Sequence, residues 1–79
     1  MKHIYETDYI KLGLKIAYYR KLRGFTQEQL AEKIDRTAAY IGHIEAPNIA
    51  KAISLDTLFD ISRALSIPPY KFLVFDDEL

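Results

Sequence analysis

The segment Phe25-Thr26-Gln27-Glu28-Gln29-Leu30 limits what this chain can fold into more than any other stretch. Thr26 and Gln29 have the spacing of a capping box: the Thr26 hydroxyl can accept from the Gln29 backbone N–H, and the Gln29 side chain can reach back to the Thr26 N–H. Phe25 and Leu30 flank the box at the positions of a hydrophobic staple, and Leu30, Ala31 and Ile34 continue as one buried stripe. Asp35-Arg36-Thr37 interrupts that helix almost at once. Thr37 can then cap a second helix over Ala38 to Glu45 whose inward residues are Ile41 and Ile44. Helices this short are marginal alone, so they must be held by packing. Two of them separated by about three residues outline a helix-turn-helix.

The rest of the chain carries further helix signals and no strand pattern. Leu12, Ile16 and Tyr19 step by four and three before that unit, with Thr7 or Asp8 as the expected cap and Gly24 as the stop. Beyond it, a loop from Ala46 to Ile53 leads to Ser54, which caps a helix bearing Asp56 in its first turn and Leu58, Ile61 and Leu65 on its core face. Pro68-Pro69 breaks that helix and begins a fifth, Pro69 to about Leu73, with Phe72 and Leu73 expected to turn inward. Seventy-nine residues without an internal repeat or linker leave room for one core. The expectation is a single all-α domain over 1–79, with its core at 8–75, an N-terminal segment 1–7 and an acidic tail 76–79.

Composition removes several function classes. With no cysteine, there is no disulfide scaffold, zinc knuckle or thiol nucleophile. No apolar run approaches the roughly 18 residues of a membrane span, and the first residues carry no apolar signal segment, so a soluble cytoplasmic protein is expected. Only two histidines are present, which argues against a metal site. Ser54 and Ser62 lack convincing His/Asp partners and no glycine-rich phosphate loop occurs, so an enzyme is not expected. Net charge is zero, yet between Lys11 and Arg36 seven basic residues (Lys11, Lys15, Arg20, Lys21, Arg23, Lys33, Arg36) face three acidic ones (Glu28, Glu32, Asp35). Three acids follow at Asp76, Asp77 and Glu78.

Gly13-x-x-Ile16-x-x-Tyr19-Arg20, Arg23-Gly24-Phe25-Thr26-Gln27-x-x-Leu30-Ala31, Tyr40-Ile41-x-x-Ile44-Glu45 and Leu58-x-x-Ile61-x-x-Ala64-Leu65 together closely resemble the Cro/C1 (Xre) helix-turn-helix family, from about Leu12 to Leu73. The resemblance implies a compact five-helix bundle of the lambda-repressor-like type with helices 2 and 3 forming the helix-turn-helix. It implies a sequence-selective DNA-binding transcriptional regulator, a repressor at an operator, often a homodimer, with Ala38–Glu45 as recognition helix in the major groove. Phosphate contacts then fall to Thr26, Gln27, Thr37, Asn48 and Lys51, and groove or base contacts to Ala38, Ala39, Tyr40 and His43. Arg20 and Glu45 match positions that form an ion pair bracing the recognition helix. No cofactor is implied.

Departures from the family pattern bear on function. Asp35 stands where glycine is common, Arg36 where the residue is usually apolar, and Ala46-Pro47 where a basic residue and glycine usually follow the glutamate. Ala38 and Ala39 offer only methyl groups, suited to a thymine methyl but not to hydrogen bonding. These features also fit an alternative: a protein-interaction or antitoxin-like module, with a toxin or another regulator as partner. Ile4-Tyr5 and Phe72-Leu73-Val74-Phe75 are the candidate contact surfaces for it.

Overall fold

In a computed structural model, which describes residues 4–75, the helix signals become four α-helices and one short 3₁₀ helix. These are α1 (Glu6–Leu22), α2 (Gln27–Lys33), α3 (Ala38–Glu45), α4 (Leu55–Leu65) and the 3₁₀ helix Pro69–Leu73. The described residues contain no strand, so the class is all-α, with a 3₁₀ segment replacing the expected fifth α-helix. Residues 1–3 and the acidic tail 76–79 lie outside the described residues.

Three helices start as their sequence signals dictate. Gln29 N donates to Thr26 Oγ1 at 3.0 Å while Thr26 N donates to Gln29 Oε1 at 2.8 Å, completing the capping box. Thr37 and Ser54 accept from Tyr40 N and Thr57 N, each at 3.1 Å. Helix α1 differs from expectation: it begins at Glu6 behind Tyr5, and neither Thr7 nor Asp8 caps it. Glu6 and Asp8 instead lie inside the first turn, where carboxylates favour the positive end of the helix dipole without any capping bond.

Three helices also end alike, in the left-handed closure where the chain turns back and satisfies two carbonyls. At α1, Gly24 (φ 80°) carries the turn, with Phe25 N bonded to Arg20 O at 3.0 Å and Gly24 N to Lys21 O at 2.9 Å. At α2 the same pair runs from Arg36 N to Ala31 O and Asp35 N to Glu32 O, with Asp35 at φ 60°. At α4 it runs from Ile67 N to Ser62 O and Ser66 N to Arg63 O, with Ser66 at φ 56°. Arg23 adds side-chain donors to the carbonyls of Leu65 (2.8 Å) and Ser66 (3.1 Å), which ties the end of α1 to the end of α4. A side chain in the left-handed region costs about 1–2 kcal/mol that glycine avoids, partly offset by glycine's freer unfolded state. Ser66→Gly is therefore expected to raise stability by about 0.5–1 kcal/mol, read as a higher midpoint of urea unfolding at unchanged slope.

Leu12, Ile16, Leu30, Ala31, Ile34, Ile41, Ile44, Leu58, Ile61, Leu65, Ile67 and Phe72 form one core to which every helix contributes. Phe72 is fully buried and meets Tyr19 edge to face, with ring centroids 5.3 Å apart. Leu73, expected inward beside it, is 51% exposed. Here the backbone has the three-residue period of a 3₁₀ helix, so Phe72 shares a face with Pro69 and its neighbour is swung away.

Candidate nucleic-acid interface

The residues Ile34–Thr37 join α2 to α3, and the left-handed Asp35 makes the turn sharp enough for the two short helices to pack on one another. Helix α3 buries Ile41, Ile44 and Glu45 and is seated against α1 by two devices. The first is Gly13, where an added Cβ would stand 1.8 Å from the Ile44 carbonyl oxygen, so the α1 backbone meets the α3 backbone directly. The second is a buried ionic junction. Arg20 Nε donates to Glu45 Oε2 at 2.7 Å and Arg20 Nη2 to Glu45 Oε1 at 2.9 Å, while Nη1 reaches the Phe25 carbonyl at 2.6 Å. Gln27 Nε2 donates to Glu45 Oε1 at 3.0 Å, so a single carboxylate links α1, α2 and α3. The hydrogen bonds to Glu45 raise the Arg20 pKa above its ordinary value, and the negative charges of Glu45 and Glu28 add to this, against burial, which acts the other way.

With Ile41, Ile44 and Glu45 inward, the outer face of α3 carries Ala38, Ala39, Tyr40 and His43; Ala39 and His43 are exposed, and Ala38 and Tyr40 half-buried. Thr26 and Thr37 cap α2 and α3 with their hydroxyl oxygens as acceptors, which leaves both hydroxyl protons free to donate. Asn48 and Lys51 are exposed in the loop between α3 and α4. The Lys51 ammonium comes back over the Tyr40 ring, 5.7 Å from its centroid. The Gln27 side chain, expected to face outward, is held against Glu45, because that carboxylate has an oxygen lone pair to spare after Arg20 is bound.

Sequence reasoning did not place Arg36 or Gly42 here. The Arg36 guanidinium lies 4.4 Å from the Tyr40 ring centroid and donates to Thr57 Oγ1 at 3.2 Å, instead of supplying a core contact. Gly42 faces the Gln27 side chain, where a Cβ would meet Oε1 at 3.6 Å. Its absence from the pattern leaves no local signal for either role. Among the described residues, no group of His, Cys, Asp or Glu is placed to hold a metal ion, and no helix is long and apolar enough to cross a membrane.

A short helix crossing over a second, braced one whose outer face is open defines a helix-turn-helix protein. The sequence agrees, since the helix-turn-helix family model matches residues 16–72, more than half of the chain. The chain belongs to the helix-turn-helix family, of the Cro/C1 type, a class of DNA-binding transcriptional regulators. Among solved structures it is similar to the restriction-modification controller protein C.AhdI from Aeromonas hydrophila, with a TM-score of 0.80 and 27% identity over 89% of this chain and 99% of that one. A point mutant of the restriction-modification controller protein C.Esp1396I matches with a TM-score of 0.71 and 28% identity, over 82% of this chain and 88% of that one. The hypothetical transcription factor NHTF from Neisseria, 22% identical, shares the fold with a TM-score of 0.78 over 90% of this chain and 79% of its own. No curated protein matches the chain in sequence.

Proposed function

We propose that this protein is a cytoplasmic repressor that binds a double-stranded operator sequence-selectively as a homodimer, with α3 in the major groove. The observation that carries this is the seating of α3, locked on its inner side by Gly13 and by the Arg20–Glu45–Gln27 junction while Ala38, Ala39, Tyr40 and His43 stay outside. A rigid helix with an open outer face is what groove reading requires. In this reading His43 hydrogen-bonds a base edge, Ala38 and Ala39 meet thymine methyls, and Tyr40 lines the groove. Thr26, Thr37, Asn48, Lys51 and the second amide proton of Gln27 contact backbone phosphates. Because zero net charge gives each subunit modest affinity, a dimer spanning two half-sites about 34–36 Å apart supplies the rest. Two of the similar structures are restriction-modification controllers, so the promoters of such a gene pair are the first place to look for the operator.

Selection of bound sequences from random duplex DNA tests the reading. The expected result is a two-fold symmetric motif, with His43→Ala relaxing one position per half-site at a cost of about 1–3 kcal/mol. No enrichment and no salt-sensitive binding at low ionic strength would overturn it.

One observation favours a protein partner as the second reading. Helix α1 is apolar on both sides: Leu14, Tyr18 and Leu22, four residues apart, are exposed, and Lys11, Lys15 and Lys21 stand among them. In addition, Tyr5, Tyr9, Leu73 and Phe75 line one shallow cleft, so the two ends expected as contact surfaces meet, without the buried Phe72. A toxin or other regulator held there, with DNA binding weak, is the outcome that the selection distinguishes.

A further inference from the structure

Tyr40 collects two cations from elements far apart in sequence. Arg36 comes from the turn before α3, and Lys51 from the loop after it; both charged groups lie over the one ring, at 4.4 and 5.7 Å from its centroid. Attraction to the ring face explains why each is held, but not why two like charges are gathered together, since each repels the other. Among the described residues neither has a carboxylate partner, the one salt bridge there being Arg20–Glu45. Arg36 spends one donor on Thr57 Oγ1, which fixes the plane of the guanidinium and leaves four N–H groups unassigned. Arg36 and Lys51 are both exposed. The arrangement is thus a preorganised pair of cations that lacks its anion.

We propose that Arg36 and Lys51, gathered on the Tyr40 ring, form a clamp for a backbone phosphate beside the start of α3. Tyr40 is then a positioning residue for the two cations, and Arg36, which replaces the apolar residue usual in the resemblance, is a DNA-contacting residue. The clamp makes up at one point for Ala46-Pro47, where a basic residue is usual, and for the methyl-only pair Ala38 and Ala39. This inference rests on the DNA-binding reading above, but its failure is separable from the failure of that reading.

The test measures the affinity of the full chain for two labelled duplexes, one recovered by the selection and one of random sequence, across about 50–200 mM salt. A phosphate contact is sequence-independent, so Arg36→Ala and Lys51→Ala should weaken both duplexes by the same factor. Each should also reduce the slope of log K against log salt by roughly 0.9. Tyr40→Phe, which keeps the ring, should leave the slope unchanged, and Tyr40→Leu should lower it without altering the preferred sequence. Arg36→Lys should restore the slope, which a purely structural role for the Thr57 bond would not. Thermal melts confirm that each variant is folded. If the wild type binds selectively and neither alanine variant changes the slope, the clamp is wrong and the regulator stands. If Tyr40→Leu shifts the preferred sequence at unchanged slope, Tyr40 is a base reader and the clamp is wrong. If the wild type binds neither duplex, both readings fall.

Discussion

Replacing Glu45 by alanine is expected to cost about 3–5 kcal/mol of folding stability, the largest loss of any single polar substitution in the molecule. The reason is the state in which it leaves Arg20. That guanidinium, with its side chain only 9% exposed, keeps the Phe25 carbonyl and loses both bonds to the carboxylate, so a buried charge is stranded. Gln27 loses its acceptor as well. A domain of this size is stable by only about 4–12 kcal/mol at the usual 0.05–0.15 kcal/mol per residue, so the variant stands near the edge of folding. The double variant Arg20→Met/Glu45→Leu removes both charges and should recover most of the loss, because desolvation offsets much of what a buried pair gains. Urea unfolding of the wild type, both single variants and the double variant measures the coupling directly. A loss below about 1 kcal/mol for Glu45→Ala would show that the junction behaves as an exposed pair and does not brace α3.

The same junction fixes how this stability responds to pH on the arginine side. The Arg20 pKa is raised in the folded protein. The stability tied to that shift is therefore fully present below arginine's ordinary value and is lost only as pH climbs through the still higher folded value. No mildly alkaline buffer will release the brace through Arg20.

How much of this was legible in the sequence follows the range of each interaction. Thr26, Thr37 and Ser54 act on residues three positions away, so their caps can be read from spacing alone. The left-handed turn at Asp35 was likewise open to a local reading, because few residue types tolerate it. The start of α1 was misplaced because no cap exists there; a dipole-favoured first turn leaves a weaker mark than a hydrogen-bonded one. Leu73 was misplaced because a helical period of 3.6 was assumed where the backbone takes 3.0. Arg36 could be read only as a missing core contact: its partners Thr57 and Tyr40 come together through the packing of α4 and α3 on the turn. Gln27 was correctly seen as projecting from the first turn of α2, but Glu45, eighteen positions on, captures its amide.

Gly13→Ala is the second large effect, and elementary helix propensity assigns it the wrong sign. In the middle of an isolated helix alanine is favoured over glycine by about 1 kcal/mol, so a substitution within α1 reads as stabilising. In the folded protein the new Cβ would stand 1.8 Å from the Ile44 carbonyl oxygen and 3.0 Å from its carbon, both backbone atoms that no rotamer change can move. Relief requires α1 and α3 to part, and α3 carries Glu45 one residue further on, so the Arg20–Glu45 geometry opens at the same time. Overpacking of this kind costs about 1–3 kcal/mol or more. The expected net result is a loss of at least about 2 kcal/mol, which lowers Tm by roughly 8–16 °C for a domain of this length. Because the two perturbations share the α1–α3 contact, Gly13→Ala and Glu45→Ala should combine less than additively. Gly24→Ala provides the contrast: its Cβ meets nothing within 4 Å, and only the φ of +80° opposes it, a penalty of about 1–2 kcal/mol that leaves α3 where it is. Affinity for the selected duplex, measured well below each variant's Tm, should therefore fall with Gly13→Ala and hold with Gly24→Ala. Equal affinities would mean that the close approach of α1 sets stability but not the seating of the recognition helix.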